Sequence, residues 1–262
     1  MPLQYGKRGR PVPWKGKNMQ QERWEALQGD LHLLTSREHT FGTDAFLLAR
    51  FAGAKRRDRA ADFGTGCGII PFLWYRDGSL PFPCFAVDIQ PQAIEQCRRS
   101  IERAGLEGEI VPLSADIRSL AGIEPASLTL ITCNPPYKVS GGGILSKAQS
   151  DKIARHETLC TLSDICKTAS RLLQFGGRLC LCQRPERLCD LVCAMRENGI
   201  EPKRMQFVHK DAASAPWLVL VEGRRGGKPF LNVEPPFLMT KHGVPTQAAQ
   251  ALYRPEHRME VE

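Results

Sequence analysis

No apolar run approaches the roughly 20 residues that a helix needs to cross a membrane, so no transmembrane helix is predicted. The first residues have no apolar core of the kind a signal peptide carries, and secretion is not expected. There is no C-x-x-C pair among the ten cysteines. Cys189 and Cys193, at i, i+4, have no His or Cys partners at zinc-finger spacing, so no metal is expected. The cysteines fall mostly in apolar stretches such as Leu179-Cys180-Leu181-Cys182, which reads as reduced core thiols of a cytoplasmic protein. There is also no internal repeat. A disordered or collagen-like chain is excluded by composition, because the 262 residues are 42% hydrophobic and 24% charged, enough for one large domain with additions.

Net charge is missing from most of the chain as well. Of the formal +8, residues 1–17 supply five bases and no acid, and Lys55-Arg56-Arg57-Asp58-Arg59 a net +3, which leaves the remainder neutral. Two basic clusters on a neutral body fit a polyanionic partner such as nucleic acid, or else a solvated tail and a solubilising loop.

Residues 1–18 are rich in Gly, Pro, Lys and Arg and read as a flexible basic arm, with Met19 marking a second possible start. Residues 40–52 read as a helix that Thr43 or Asp44 caps. From Arg59 onward strands and helices alternate. Strands are predicted at 59–63, 85–89, 109–111, 128–133 and 178–182. Helices are predicted from Ile69, from Pro91 to a stop at Gly105, over 157–174 and over 185–198. Residues 205–209 and 217–222 form a terminal antiparallel pair, and the polar segment 240–262 is expected to be a poorly ordered tail. The alternation implies an α/β fold, a mostly parallel sheet with helices on both faces.

Chemistry concentrates at the carboxyl ends of the predicted strands. Asp62-Phe63-Gly64-Thr65-Gly66-Cys67-Gly68 joins a strand to a helix, where glycines permit a tight turn and close approach to a ligand. The spacing is G-x-G-x-G and not the G-x-G-x-x-G of dinucleotide enzymes. Asp88 ends the second strand, where a carboxylate can accept both hydroxyls of a ribose, as NAD and S-adenosylmethionine alike would require. Asp116 follows the third strand and suits either an adenine amino group, with Ile117 or Ile89 against the ring, or a helix cap.

Asn134-Pro135-Pro136-Tyr137 follows the fourth strand and selects among these chemistries. The prolines enforce a rigid turn without backbone donors. The Asn134 side-chain oxygen and the Pro135 carbonyl are then paired acceptors for a planar NH₂ group. Tyr137 offers a face on which a flat target can stack, an interaction worth about 1–3 kcal/mol per base.

Together, the glycine loop with Asp62, the acids Asp88 and Asp116, and Asn134-Pro135-Pro136-Tyr137 resemble the motif series of Rossmann-like class I S-adenosylmethionine-dependent methyltransferases that act on planar amino groups. Upstream, Phe41-Gly42-Thr43-Asp44-Ala45-Phe46-Leu47-Leu48-Ala49 resembles the bacterial tRNA1(Val) adenine-N6 methyltransferase family more narrowly. So do Ala154-Arg155-His156-Glu157 and the stretch from Gly226-Gly227-Lys228-Pro229 to Glu234-Pro235-Pro236. The likeness implies a single domain over 19–239, with 19–58 closing over the cofactor, and methylation of the tRNA adenine 3′ of the anticodon by a monomer. It further implies that Gly64, Gly66 and Gly68 hold the methionine portion of S-adenosylmethionine. Asp88 then holds the ribose, Asp116 the adenine, and Thr43 or Asp44 the methionine end. The base flips onto Tyr137, where Asn134 and Pro135 grip its amino group. Arg155 and His156 contact tRNA or merely begin a helix. Rival readings are a glutamine-N5 methyltransferase of a release factor, an NAD-dependent oxidoreductase and a non-catalytic RNA-binding module. Only about 40 residues lie between Met19 and Arg59, too few for the helical domain the first would carry; the second leaves Asn134–Tyr137 unexplained, and intact motifs disfavour the third.

Overall fold

The computed structural model describes residues 22–135 and 160–253. The arm, Pro136, Tyr137, Arg155, His156 and the tail beyond Tyr253 therefore lie outside the described residues.

Sequence patterning did not mark the first described element, a hairpin of β1 (Arg23–Gln28) and β2 (Leu31–Thr35) turned at Gly29. β1 is largely exposed and mixes charged with apolar residues, so it carries no clear period-two signal. β2 buries Leu33 and Leu34. Helix α1 (Thr43–Ala52) follows, preceded by an extended Gly42 rather than by a side-chain cap. Asp44 accepts only from the adjacent Ala45 N–H, at 3.0 Å, so the expected cap at Thr43 or Asp44 is corrected.

β3 (Ala60–Phe63), α2 (Ile69–Arg76), β4 (Cys84–Asp88), α3 (Pro91–Ala104), β5 (Ile110–Ser114) and β6 (Leu128–Cys133) confirm the predicted alternation. α3 begins with proline at its first turn and ends on Gly105 in the left-handed region, φ +66°. Its buried Ser100 hydroxyl accepts the Leu34 N–H at 2.9 Å and fixes the hairpin onto it. α4 (Leu162–Leu172) carries a complete capping box, with Thr161 and Asp164 satisfying each other's backbone N–H groups.

β7 (Leu173–Gln183) begins at once, five residues earlier than the predicted 178. Gly176 and Gly177 lie inside this strand, where a Cβ on Gly177 would come within 2.9 Å of the Gln174 carbonyl. α5 (Leu188–Glu197) follows a single 3₁₀ turn at Pro185–Arg187. β8 (Ile200–His209) and β9 (Pro216–Arg225) form the expected antiparallel pair, longer than predicted.

The sheet runs β10-β8-β9-β7-β6-β3-β4-β5, where β10 (Asn232–Val233) and also β11 (Phe237–Leu238) pair parallel with β8. β3 to β7 are mutually parallel. The chain leaves β3 for β4 and β5 on one side and returns to β6 and β7 on the other. The switch point is therefore at β3 and β6, where ligands of open α/β sheets bind. One core packs α1, α2 and α3 against one face, and a second packs α4 and α5 against the other.

The segment after 239 is ordered through Tyr253, contrary to expectation. β12 (Thr240–Lys241) and β13 (Val244–Pro245) pair, and α6 (Gln247–Tyr253) buries Ala249 and Leu252. Arg76 donates to the Leu252 carbonyl at 3.0 Å, and the Thr43 and Tyr253 hydroxyls meet at 2.7 Å. Few apolar residues mark this stretch, yet two at helical spacing suffice to dock it. The ten cysteines are free thiols and most are buried, but Cys189 and Cys193 lie exposed on the outer side of α5, whose inner side carries Leu191, Ala194 and Met195.

Candidate active site

A cavity of about 290 Å³ opens at the carboxyl ends of β3, β4, β5 and β6. Its floor is the turn after β3. Gly64 and Gly66 take left-handed φ values of +68° and +57° and line the cavity, and a Cβ on either would meet nothing within 4 Å. The requirement there is conformational, not steric. Gly68 behaves differently. At φ +93° its missing Cβ would sit 2.7 Å from Cys97 Sγ on α3, and it does not line the cavity. It lets the start of α2 approach α3 closely.

Asp88, at the end of β4, lines the cavity beside the glycine turn. One carboxylate oxygen accepts the Gly66 N–H at 2.9 Å and the other the Gln90 N–H at 2.9 Å. A carboxylate offers about four lone-pair sites, so two remain for hydroxyl groups of a ligand. Its bond to Gly66 also sets the glycine turn. Ile89 beside it is 43% exposed, an apolar surface at the cavity.

Asp62, at the head of the glycine motif, is buried on β3 and does not line the cavity. Its Oδ1 accepts the Thr132 hydroxyl of β6 at 2.7 Å. Burial pushes its carboxyl up to about 7, against the hydroxyl, which favours the charged form, and with a small contribution from the nearby Asp88 charge. It supports the turn from beneath.

Asp116 lines the cavity with Ala115 and Ile117, and it also caps the 3₁₀ turn Ile117–Ser119. Its Oδ1 accepts the Arg118 N–H at 2.9 Å, and both oxygens bond the Arg118 guanidinium. That partner holds its carboxyl below the usual range. Asp116 is thus the cap of this turn and at the same time part of the cavity wall.

Asn134 and Pro135 complete the rim just beyond β6. Asn134 Oδ1 accepts the thiol of the fully buried Cys182 of β7, Sγ to oxygen 3.1 Å. Thr43 and Asp44 do not line this cavity. Thr43 belongs to a separate hollow with Phe41 and Tyr253, because α1 begins one step beyond the cavity wall. The wall is built instead by Glu38, His39 and Thr40, which sequence reading passed over, and His39 Nε2 lies 3.1 Å from Gln90 Oε1. The only signal for them was their position ahead of the Phe41-Gly42-Thr43-Asp44 stretch.

Among the described residues no cluster of three or more His, Cys, Asp or Glu could hold a metal ion, and no helix is long and apolar enough to cross a membrane. The glycine turn, the partly committed Asp88 and exposed Ile89 fit an adenosine-bearing small molecule, and the Asn134–Pro135 rim adds acceptors for a second, planar partner.

Several known proteins are similar to this chain. The family model described as methyltransferase small domain matches residues 36–187. A relative from Parabacteroides distasonis named tRNA1(Val) (adenine(37)-N6)-methyltransferase is 26% identical over 181 residues, 69% of this chain and 75% of its own. A Cronobacter sakazakii protein of the same name is 28% identical over 140 residues, 53% of this chain and just over half, 56%, of its own. Among solved structures, a predicted O-methyltransferase from Agrobacterium tumefaciens superposes with a TM-score of 0.63 at 21% identity, covering 80% of this chain and 94% of that one.

Proposed function

Because the chain belongs to the methyltransferase small domain family, we propose that it transfers a methyl group from S-adenosylmethionine to the N6 amino group of an adenine in RNA, the tRNA base 3′ of the anticodon. One observation carries the reading: the acceptor pair of Asn134 and Pro135 stands on the rim of the cavity that the Gly64–Gly66 turn and Asp88 line.

Bound S-adenosylmethionine supplies an electrophilic methyl group. The chain's own residues do the positioning. Asp88 presents its free lone pairs to the ribose, the Gly64 and Gly66 backbone permits close approach, and Ile89 and Ile117 provide apolar surface for the adenine. Asn134 Oδ1 and the Pro135 carbonyl each accept one hydrogen of the target NH₂. This orients its nitrogen and draws the lone pair out of the ring toward the methyl group, an alignment effect. The nitrogen loses a proton readily once it is fourfold substituted, so no strong general base is required. Pro136 and Tyr137 follow in the chain, and the family resemblance makes Tyr137 the stacking platform.

An RNA substrate also suits the charge. Lys55, Arg56, Arg57 and Arg59 are exposed, whereas Asp58 between them is engaged by Thr129 at 2.8 Å and Arg178 at 3.3 Å. Lys55 and Arg56 border a groove of about 870 Å³ that Arg50 and Arg76 share. The basic segment Lys55–Arg59 precedes β3, at the opposite end of that strand from the cavity, so it would hold a distant part of a large RNA.

Tritiated-methyl transfer onto fractionated cellular RNA and protein, followed by nucleoside analysis, tests the proposal. The expected product is N6-methyladenosine in tRNA, and it should vanish in Asn134→Ala while cofactor affinity stays within a few-fold. Label on glutamine of a protein would replace the RNA reading, and near-wild-type turnover by Asn134→Ala would remove the paired-acceptor mechanism.

A further inference from the structure

The buried thiol of Cys182 is not explained by packing alone. β6 and β7 run parallel with Cys133 opposite Leu181, so the next step along both chains sets Asn134 beside Cys182. β6 ends at Cys133, and Asn134 and Pro135 lead away from the sheet, whereas β7 continues to Gln183. Asn134 thus has lost its ladder, and its neighbour has not. Cys182 is still paired through its backbone with Leu220 of β9 and is fully buried in the core of the α1–α3 face. From this fixed position its sulfur reaches Asn134 Oδ1 at 3.1 Å.

We infer that Cys182 is a positioning residue for methyl transfer, its thiol orienting the Asn134 amide so that one lone pair of Oδ1 faces the target amino group. The inference rests on the proposed role of Asn134. An amide at a strand end can turn about its last bond, and the two orientations differ by a swap of acceptor for donor. Only the orientation with oxygen toward the target grips an NH₂ group; the other presents NH₂ to NH₂. A donor from the sheet that claims one lone pair of Oδ1 selects the productive orientation, and an amide oxygen has two, so accepting the thiol does not by itself prevent it from accepting a substrate hydrogen. Alanine, valine or leucine would fill this core position equally well and would make no selection. A thiol is small and apolar enough for the core and still carries a hydrogen to donate.

The test uses the full chain with Cys182→Ala, Cys182→Val and Cys182→Ser, and two readouts. Steady-state transfer to the wild-type protein's own RNA acceptor should show kcat lowered by roughly five- to tenfold in both Ala and Val. Kd for S-adenosylmethionine should not change. Serine keeps a donor and should recover most of the rate. In parallel, the Asn134 side-chain NH₂ resonances, assigned by their loss in Asn134→Ala, should exchange faster with solvent in Ala and Val than in wild type or Ser. Wild-type kcat in Cys182→Val would overturn the inference, because volume would then suffice. So would serine as slow as valine, or identical amide exchange in all three variants. The amide readout does not depend on the reaction: if the wild-type protein methylates no amino group, the proposed function fails while the Cys182–Asn134 contact is still decided.

Discussion

Replacing Asp62 with asparagine should change how stability depends on pH. In the folded protein burial pushes this carboxyl from 3.8 up to about 7. Below pH 4 both folded and unfolded chains keep the proton. Between pH 4 and 7 the unfolded chain loses it and the native state retains it, so stability falls as pH rises through this window. Above 7 both forms are ionised, and the full cost of a buried carboxylate persists. A shift of about three units corresponds to about 4 kcal/mol across the window, an upper figure for a site that can relax. Asparagine is isosteric, can accept from the Thr132 hydroxyl as Asp62 Oδ1 does at 2.7 Å, and carries no charge. Urea unfolding of both proteins at half-unit steps from pH 4.5 to 8 gives the difference directly. Other carboxylates cancel, including Asp116 and Asp164, whose lowered values give stability the opposite slope at more acid pH. The variant should gain on wild type by several kcal/mol as pH rises and reach a plateau above 7. A difference that is flat with pH would refute the burial argument and with it the account of Asp62 as a support beneath the turn.

Gly68→Ala should destabilise the fold by about 1–3 kcal/mol, because it combines a φ of +93° with a 2.7 Å approach to Cys97 Sγ. Gly64→Ala faces the φ cost alone and should lose less in thermal unfolding. Asp88→Ala should weaken S-adenosylmethionine by roughly 1.5–3 kcal/mol in calorimetry, through lost charge-assisted bonds to the ribose and a released Gly66 N–H; tight NAD binding in place of S-adenosylmethionine would remove the methyltransferase reading. Neutralising Lys55, Arg56, Arg57 and Arg59 should weaken full-length tRNA more than an anticodon stem-loop and flatten the salt dependence of binding. Equal losses on both RNAs would rule out a second grip distant from the cavity.

The parts legible in the sequence are those in which local chemistry has one solution. Proline at the first turn of α3 and Gly105 at its end bound that helix whatever surrounds it, and the apolar blocks of β3, β4 and β6 admit only a buried sheet. The Gly64–Gly66 turn, Asp88, Asp116 and Asn134 were readable because each ends or follows a strand, and parallel strands bring their carboxyl ends to one edge. What lay beyond the sequence depends on contacts between distant residues. The hairpin of β1 and β2 has no clear periodicity of its own and is held by Leu33, Leu34 and the Ser100 hydroxyl of α3. α6 is stabilised by what it covers, and Thr43 is turned toward Tyr253, 210 residues away, and not toward the cavity. Gly68 and Asp62 share one motif with Gly64 and Gly66, yet the packing of α2 on α3 and the pairing of β3 with β6 turn them inward. The same holds for Cys182. In sequence it is one more apolar residue of β7, and only the register of β6 against β7 brings its thiol to Asn134.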